Sequence, residues 1–225
     1  MMKTINSRFL IHATTILCVG LLFGIAALFA SGFPDPPDRL RKPEGTKEIA
    51  VLAGGCFWGM EAVFERLEGV TNVVSGYSGG TKETARYKKV GTGRTGHAES
   101  VRIEFNPQQI SFGTLLKVFF SVAHDPTQLN RQGPDVGSQY RSEIFYDSPE
   151  QKRIAEEYIR LLNRKKVFRK PIVTRISKLT AFYPAEAYHQ DFLDRNPANP
   201  YIVQWDLPKI QHLKKEFPDL IAKAN

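Results

Sequence analysis

Ile49-Ala50-Val51-Leu52-Ala53-Gly54-Gly55-Cys56-Phe57-Trp58-Gly59 is the stretch on which the reading of this chain turns. Five apolar residues ending in glycines read as a buried strand. After the cysteine, Met60-Glu61-Ala62-Val63-Phe64-Glu65-Arg66-Leu67 recurs at helical spacing. Cys56 therefore stands where a strand hands over to a helix. Amides at a helix N-terminus carry partial positive charge, so this placement predicts a stabilised thiolate and a lowered thiol pKa. A free cysteine is often no more than a small buried hydrophobe. Here Gly54, Gly55 and Gly59 let backbone or ligand approach closely, and the balance tips toward a nucleophile beside an apolar pocket.

Toward the N-terminus the composition changes. Lys3 and Arg8 precede an uncharged run from Phe9 to Ala30, and Leu28-Phe29-Ala30 offers small residues for cleavage. Residues 1–32 are expected to be a signal peptide or an uncleaved membrane anchor, which exports the chain to the periplasm or the extracellular space. Residues 33–47, with Pro34, Pro36 and Pro37, read as a linker. The folded domain is placed at 48–225. Of the two cysteines, Cys18 lies in the leading apolar run after the large Leu17 and reads as inert, so Cys56 is the one thiol of the domain. No disulfide within the domain is then available.

The formal charge of +8 does not mark a nucleic-acid protein. Arg160, Arg164, Lys165, Lys166, Arg169 and Lys170 are scattered along one helix and its exit, which reads as a solvated face.

Further along, strands are expected at 48–53, 70–77, 98–105, 142–146 and 172–179, with helices at 57–67, from the Ser111 cap through Phe120, and from Ser148-Pro149 to about Lys165. A short helix at 188–193 and a terminal one at 208–224 complete the pattern, with loops at 81–96 and 124–139. The order strand–helix–strand–strand–helix–strand predicts an α+β fold. It would be a ferredoxin-like two-layer sandwich, a mixed sheet with helices on one face and an extended C-terminal segment. A polar loop as long as 124–139 tends to be functional.

Several segments together resemble one family, the A-type peptide methionine sulfoxide reductases. They are Gly55-Cys56-Phe57-Trp58-Gly59, Gly76-Tyr77-Ser78-Gly79-Gly80, Thr95-Gly96-His97-Ala98-Glu99, the run His124–Gln132, the run Asp135–Ser142, and Tyr188-His189-Gln190. The resemblance implies a thiol-dependent reductase for the S epimer of methionine sulfoxide, free or in oxidised proteins. On it, Cys56 attacks the sulfoxide sulfur and Glu99 is the acid. Burial would hold that carboxyl protonated near neutrality. Tyr87 and Tyr140 match tyrosines that point at the sulfoxide oxygen, Asp135 matches a pocket carboxylate, and Phe57 and Trp58 match the wall that receives the methyl group. No metal and no bound cofactor are implied, and the histidines 97, 124 and 189 are expected to be structural.

Two departures are informative. The segment Asn196-Pro197-Ala198-Asn199-Pro200-Tyr201-Ile202 lacks the second cysteine of many members, and Phe192 stands where a further pocket tyrosine is matched. The chain thus resembles the one-cysteine subtype, whose sulfenic acid is reduced by an external thioredoxin-like, glutaredoxin-like or small thiol. A monomer is expected. Three other readings stand beside this one: a one-cysteine peroxidase, disfavoured by the Phe57-Trp58 pair; a hydrolase with a histidine such as His97 beside Cys56; and an exported module that binds methionine-rich surfaces.

Overall fold

The structure, a computed structural model, describes residues 32–38 and 47–222. The expected signal peptide or anchor lies outside the described residues. Among those described, no helix is long and apolar enough to cross a membrane. The first half of the domain runs β1 (Glu48–Gly54), α1 (Phe57–Glu65), β2 (Val70–Ser78), a single turn α2 (Tyr87–Val90), β3 (Ala98–Phe105) and α3 (Phe112–Val118). The second half holds the two-residue strands β4 (Arg131–Gln132) and β5 (Asp135–Val136), then β6 (Ser142–Tyr146), α4 (Pro149–Arg164), β7 (Arg175–Lys178), β8 (Phe182–Pro184), α5 (Phe192–Arg195) and α6 (Leu207–Glu216). π-Helical turns extend α3 at Phe119–Ala123 and lead into α6 at Ile202–Asp206.

Six strands form a mixed sheet in the order β7-β6-β1-β3-β2-β8. Every neighbouring pair is antiparallel except β6 with β7. Strand residues alternate between the two faces. Ala50, Leu52, Val101, Ile103, Phe105 and Ile144 join the main core with Met60, Val63 and Phe64 of α1 and Leu115 and Leu116 of α3. Val51, Ala53, Ala98 and Phe145 point the other way into a small cluster closed by Leu179 and Phe182. Burying each large apolar side chain contributes about 1.5–3 kcal/mol, so the helix-covered face carries most of the stability.

On the opposite face a buried pair ties the strands to the loop before β3. Arg141 Nε donates to Glu143 at 2.6 Å, while its other nitrogens donate to the carbonyls of His97, Ser138 and Gly96. Glu143 also accepts from the Ser177 hydroxyl. A buried ion pair is tolerated when such bonds complete it.

Both expected serine caps form: Ser111 accepts from the Thr114 amide and Ser148 from the Gln151 amide. The terminal helix stops at Glu216 because Pro218 cannot continue it. The structure differs from expectation in several places: α2 lies within the expected loop 81–96 and β4 and β5 within the expected loop 124–139. β8 was not anticipated, and it forms by pairing with β2 at Tyr77 and Tyr183. Part of the 33–47 linker is docked: Phe33 meets Phe168 edge-on, the Tyr158 hydroxyl donates to the Pro34 carbonyl at 2.8 Å, and Asp38 accepts from the Gly113 amide.

Candidate active site

β1 ends at Gly54, and Cys56 is the N-cap residue of α1. Gly55 between them has φ +97°, and a Cβ there would lie 2.6 Å from the Gln132 side chain. Only glycine meets both demands. The Phe57 amide donates to Glu99 Oε2 at 3.1 Å, whereas the Cys56 side chain makes no capping hydrogen bond to α1.

The thiol does not behave as its place on the helix predicts. Cys56 is 8% exposed, and burial pushes its pKa well above the usual thiol value; the nearby Glu99 and Asp206 carboxyls push the same way. The Trp58 amide and Lys209 oppose them and do not prevail. The expected low-pKa thiolate is therefore corrected to a neutral thiol at rest. Desolvation of a buried group outweighs one helix terminus.

Glu99 is the second residue of β3, on the helix-covered face in line with Val101, Ile103 and Phe105, and is 2% exposed. Burial, helped by Asp135, lifts its pKa to about 8 against the Phe57 amide. The carboxyl is protonated at neutral pH, with Oε2 accepting and the proton free for another partner.

Around these two groups the structure gathers aromatic side chains. Tyr87, raised to about 12 by burial, also feels Glu99 and Cys56. Tyr140, at the end of the turn Ser138–Tyr140, is raised by burial and by Glu99, Asp135, Tyr87 and Cys56. Asp135 sits on β5, and burial raises its pKa. Trp58 is partly exposed, whereas Phe57 is buried to 1% against Tyr77, Tyr87 and His189 and forms a floor beneath the site.

Sequence reasoning missed two participants, Tyr201 and Asp206, and the structure gives Phe192 and His189 specific places. The Tyr201 hydroxyl donates to Asp135 Oδ2 at 2.5 Å, and its ring meets Trp58 edge-on. Phe192, matched to a pocket tyrosine, instead stacks flat on Trp58 at 3.7 Å. Tyr201 follows Asn199-Pro200, so the missing signal lay in a segment read only for its lack of cysteine. His189 Nδ1 accepts from Trp58 Nε1 at 3.1 Å, which leaves its proton on Nε2 and fixes the indole ring. Asp206 had no local signal.

The histidine needed for a hydrolase is absent from the described residues around Cys56. His97 is engaged by the Gly80 amide and the Thr81 carbonyl, and His124 by the Phe119 carbonyl and the Ser142 hydroxyl. Neither leaves a nitrogen to take the thiol proton. One group with cation-ligand spacing occurs among the described residues: Glu61, Glu65 and Asp191, within 4.8 Å of one another. Both Glu61 oxygens already accept backbone amides, from Ser75 and Asp191.

A buried thiol at the helix N-cap beside a protonated carboxyl held on the next amide, with tyrosines around them, forms a thiol-redox type of centre rather than a hydrolytic one. The family profile described as peptide methionine sulfoxide reductase matches residues 48–220, and the chain belongs to that family. It is 57% identical over 176 residues to peptide methionine sulfoxide reductase MsrA 2 of Mesorhizobium japonicum, covering 78% of this chain and 90% of that protein. To the protein of the same name from Synechocystis sp. it is 50% identical over 208 residues, covering 89% and 97%. Its fold is similar to reduced Mxr1 from Saccharomyces cerevisiae, with TM-score 0.63 and 33% identity over 71% of this chain and 91% of that one. Methionine sulfoxide reductase A of Corynebacterium diphtheriae gives 0.59 and 37% over 70% and 78%.

Proposed function

We propose that this chain reduces the S epimer of methionine sulfoxide, free or in oxidised proteins, to methionine, with Cys56 as the attacking thiol. The observation that carries the reading is the Glu99 carboxyl, protonated up to about pH 8 and seated on the amide of Phe57, the residue that follows Cys56, where it acts on the thiol. Sulfoxide reduction needs a nucleophile for sulfur and a proton for oxygen. Glu99 gives its proton to the oxygen as Cys56 attacks, and the thiol proton replaces it on the carboxyl. The substrate S–O bond breaks and oxygen passes to Cys56. The methionine sulfur gains two electrons, and Cys56 becomes a sulfenic acid.

Tyr87 and Tyr140 hydrogen-bond the sulfoxide oxygen in this reading. Trp58, with Phe57 beneath it, receives the methyl group, and Asp135 with Tyr201 closes the pocket. No cysteine follows Cys56 in the sequence. An external thiol therefore attacks the sulfenic acid and releases water, and a second thiol resolves the mixed disulfide and restores Cys56. A thioredoxin-like or glutaredoxin-like protein, or a small thiol, fills that role, and no prosthetic group enters a step.

We read the strand order β6-β1-β3-β2 with α1 and α3 as a ferredoxin-like frame, the protein as a monomer, and the apolar run Phe9–Ala30 as an export signal or anchor. Cell fractionation tests the last point. The function is tested by turnover on separated epimers with each class of thiol, and by mass spectrometry after substrate alone. The expected result is S-epimer turnover and one oxygen added to Cys56. Preference for the other epimer, or an unmodified Cys56, would overturn it.

A further inference from the structure

Asp206 is a fully buried carboxyl to which the proposed reaction gives no part. It stands at the N-cap position of α6 but makes no capping bond with its side chain. It is 0% exposed; Oδ1 accepts from Lys209 Nζ at 3.0 Å, and Oδ2 has no partner. Apolar side chains of similar volume fill such a position without leaving an oxygen unsatisfied.

The pair has a specific address. A methyl group on Gly59 would lie 2.1 Å from Asp206 Oδ1 and 2.8 Å from Lys209 Nζ. Gly59 follows Cys56 by three residues, so the carboxylate and the ammonium lie on the same side of the first turn of α1 as the thiol. The other ionisable groups that act on or feel Cys56 are Glu99 from β3, Tyr87 from α2, Tyr140 from its turn, and Tyr201, with Asp135 of β5 bonded to Tyr201 behind them. All of these are neutral or negative. Lys209 is the cation that acts on the thiol, and it favours the thiolate, whereas Asp206 opposes it.

We propose that Asp206 and Lys209 are a positioning pair that sets the ionisation of Cys56: Lys209 stabilises the thiolate as it forms, and Asp206 anchors the ammonium and offsets its charge, so the thiol stays protonated until substrate arrives. This rests on the reading of Cys56 as the attacking thiol. A resting thiol of this kind resists oxidation when no sulfoxide is bound, because the thiolate is the reactive form.

The test is the pH dependence of iodoacetamide alkylation of the full chain without substrate, with the Cys56 peptide quantified by mass spectrometry. Asp206→Asn removes a negative charge and lowers the midpoint by roughly one pH unit; Lys209→Met raises it by a similar amount. Lys209→Arg restores a midpoint close to wild type. In turnover, Lys209→Met lowers kcat more than it changes KM. The proposal is overturned if either folded single variant titrates at the wild-type midpoint, or if both move the same way. Should Asp206→Asn fail to fold, the two Lys209 variants decide it. Alkylation requires no turnover, so its failure stays distinct from a failure of the reductase reading, which the epimer assay measures.

Discussion

Cys56 and Glu99 stand on the sheet-and-helix frame, whereas Asp135, Tyr140 and Tyr201 stand on short turns at its edge. The frame removes its groups from water, and both are shifted to hold their protons: the thiol well above its usual range and the carboxyl to about 8. The turn residues keep partial exposure and bind one another, as Tyr201 does Asp135. The two regions thus divide the work. In the proposed reaction, burial in the frame would prepare the proton and electron transfer, and the turns would supply the hydrogen bonds that select the substrate.

The strongest way to break this division is at the thiol. Cys56→Ser is expected to reduce sulfoxide turnover to the uncatalysed background while circular dichroism and melting stay close to wild type. Substantial remaining turnover would show that the frame does not hold the reacting group.

Glu99→Gln sharpens the comparison next. It keeps the acceptor for the Phe57 amide but removes the acid, and the reductive step is expected to slow by about 10²-fold or more. In the wild type that step declines as pH rises through about 8, and in the variant this decline disappears. Stability has the same sign. A carboxyl whose pKa is higher folded than unfolded contributes fully below its ordinary value of 4.5, and that contribution is lost as pH rises through the folded value. Glu61, at about 7, and Glu65, at about 8, act alike. Melting temperatures are therefore expected to fall from pH 5 toward pH 8 (), more shallowly in Glu99→Gln.

On the turn side, Tyr201→Phe removes one hydrogen bond to Asp135. A loss of about tenfold in kcat/KM is expected, corresponding to about 1.4 kcal/mol. Phe192→Tyr does not restore it, because that ring is stacked on Trp58. A rescue would mean that the Phe192 position, not Tyr201, faces the substrate.

The smallest effects are expected far from both regions. Tyr158→Phe loses the bond to Pro34 and about 1 kcal/mol of unfolding free energy, with turnover unchanged. Asp35, paired with Lys117 but largely exposed, is expected to change stability by less than about 0.5 kcal/mol on conversion to alanine. Denaturant melts of both variants check this.

The frame was legible from the chain because its signals are local. Alternating apolar residues in β3, the run before Gly54 and the serines at 111 and 148 each specify an element within a few residues. β8 was illegible because three residues of Phe182–Pro184 carry no period; pairing with β2 makes the strand. The turns were illegible for a related reason. Tyr201 and Phe192 are both aromatic and close in sequence, and only packing decides that one bonds Asp135 and the other stacks on Trp58.

By itself the sequence determined the strand–cysteine–helix junction and the single thiol of the domain, since these follow from residue identity and short spacing; Glu99 as the acid and an outside reductant came from the family resemblance and belong to the proposed function. The tertiary structure alone decided the protonation of the thiol, the partner of Asp135 and the presence of Asp206 and Lys209 beside Gly59. Charge energies depend on distance and on exclusion of water. Both are properties of segments about 150 residues apart, brought together by the packing of α6 on α1 (;).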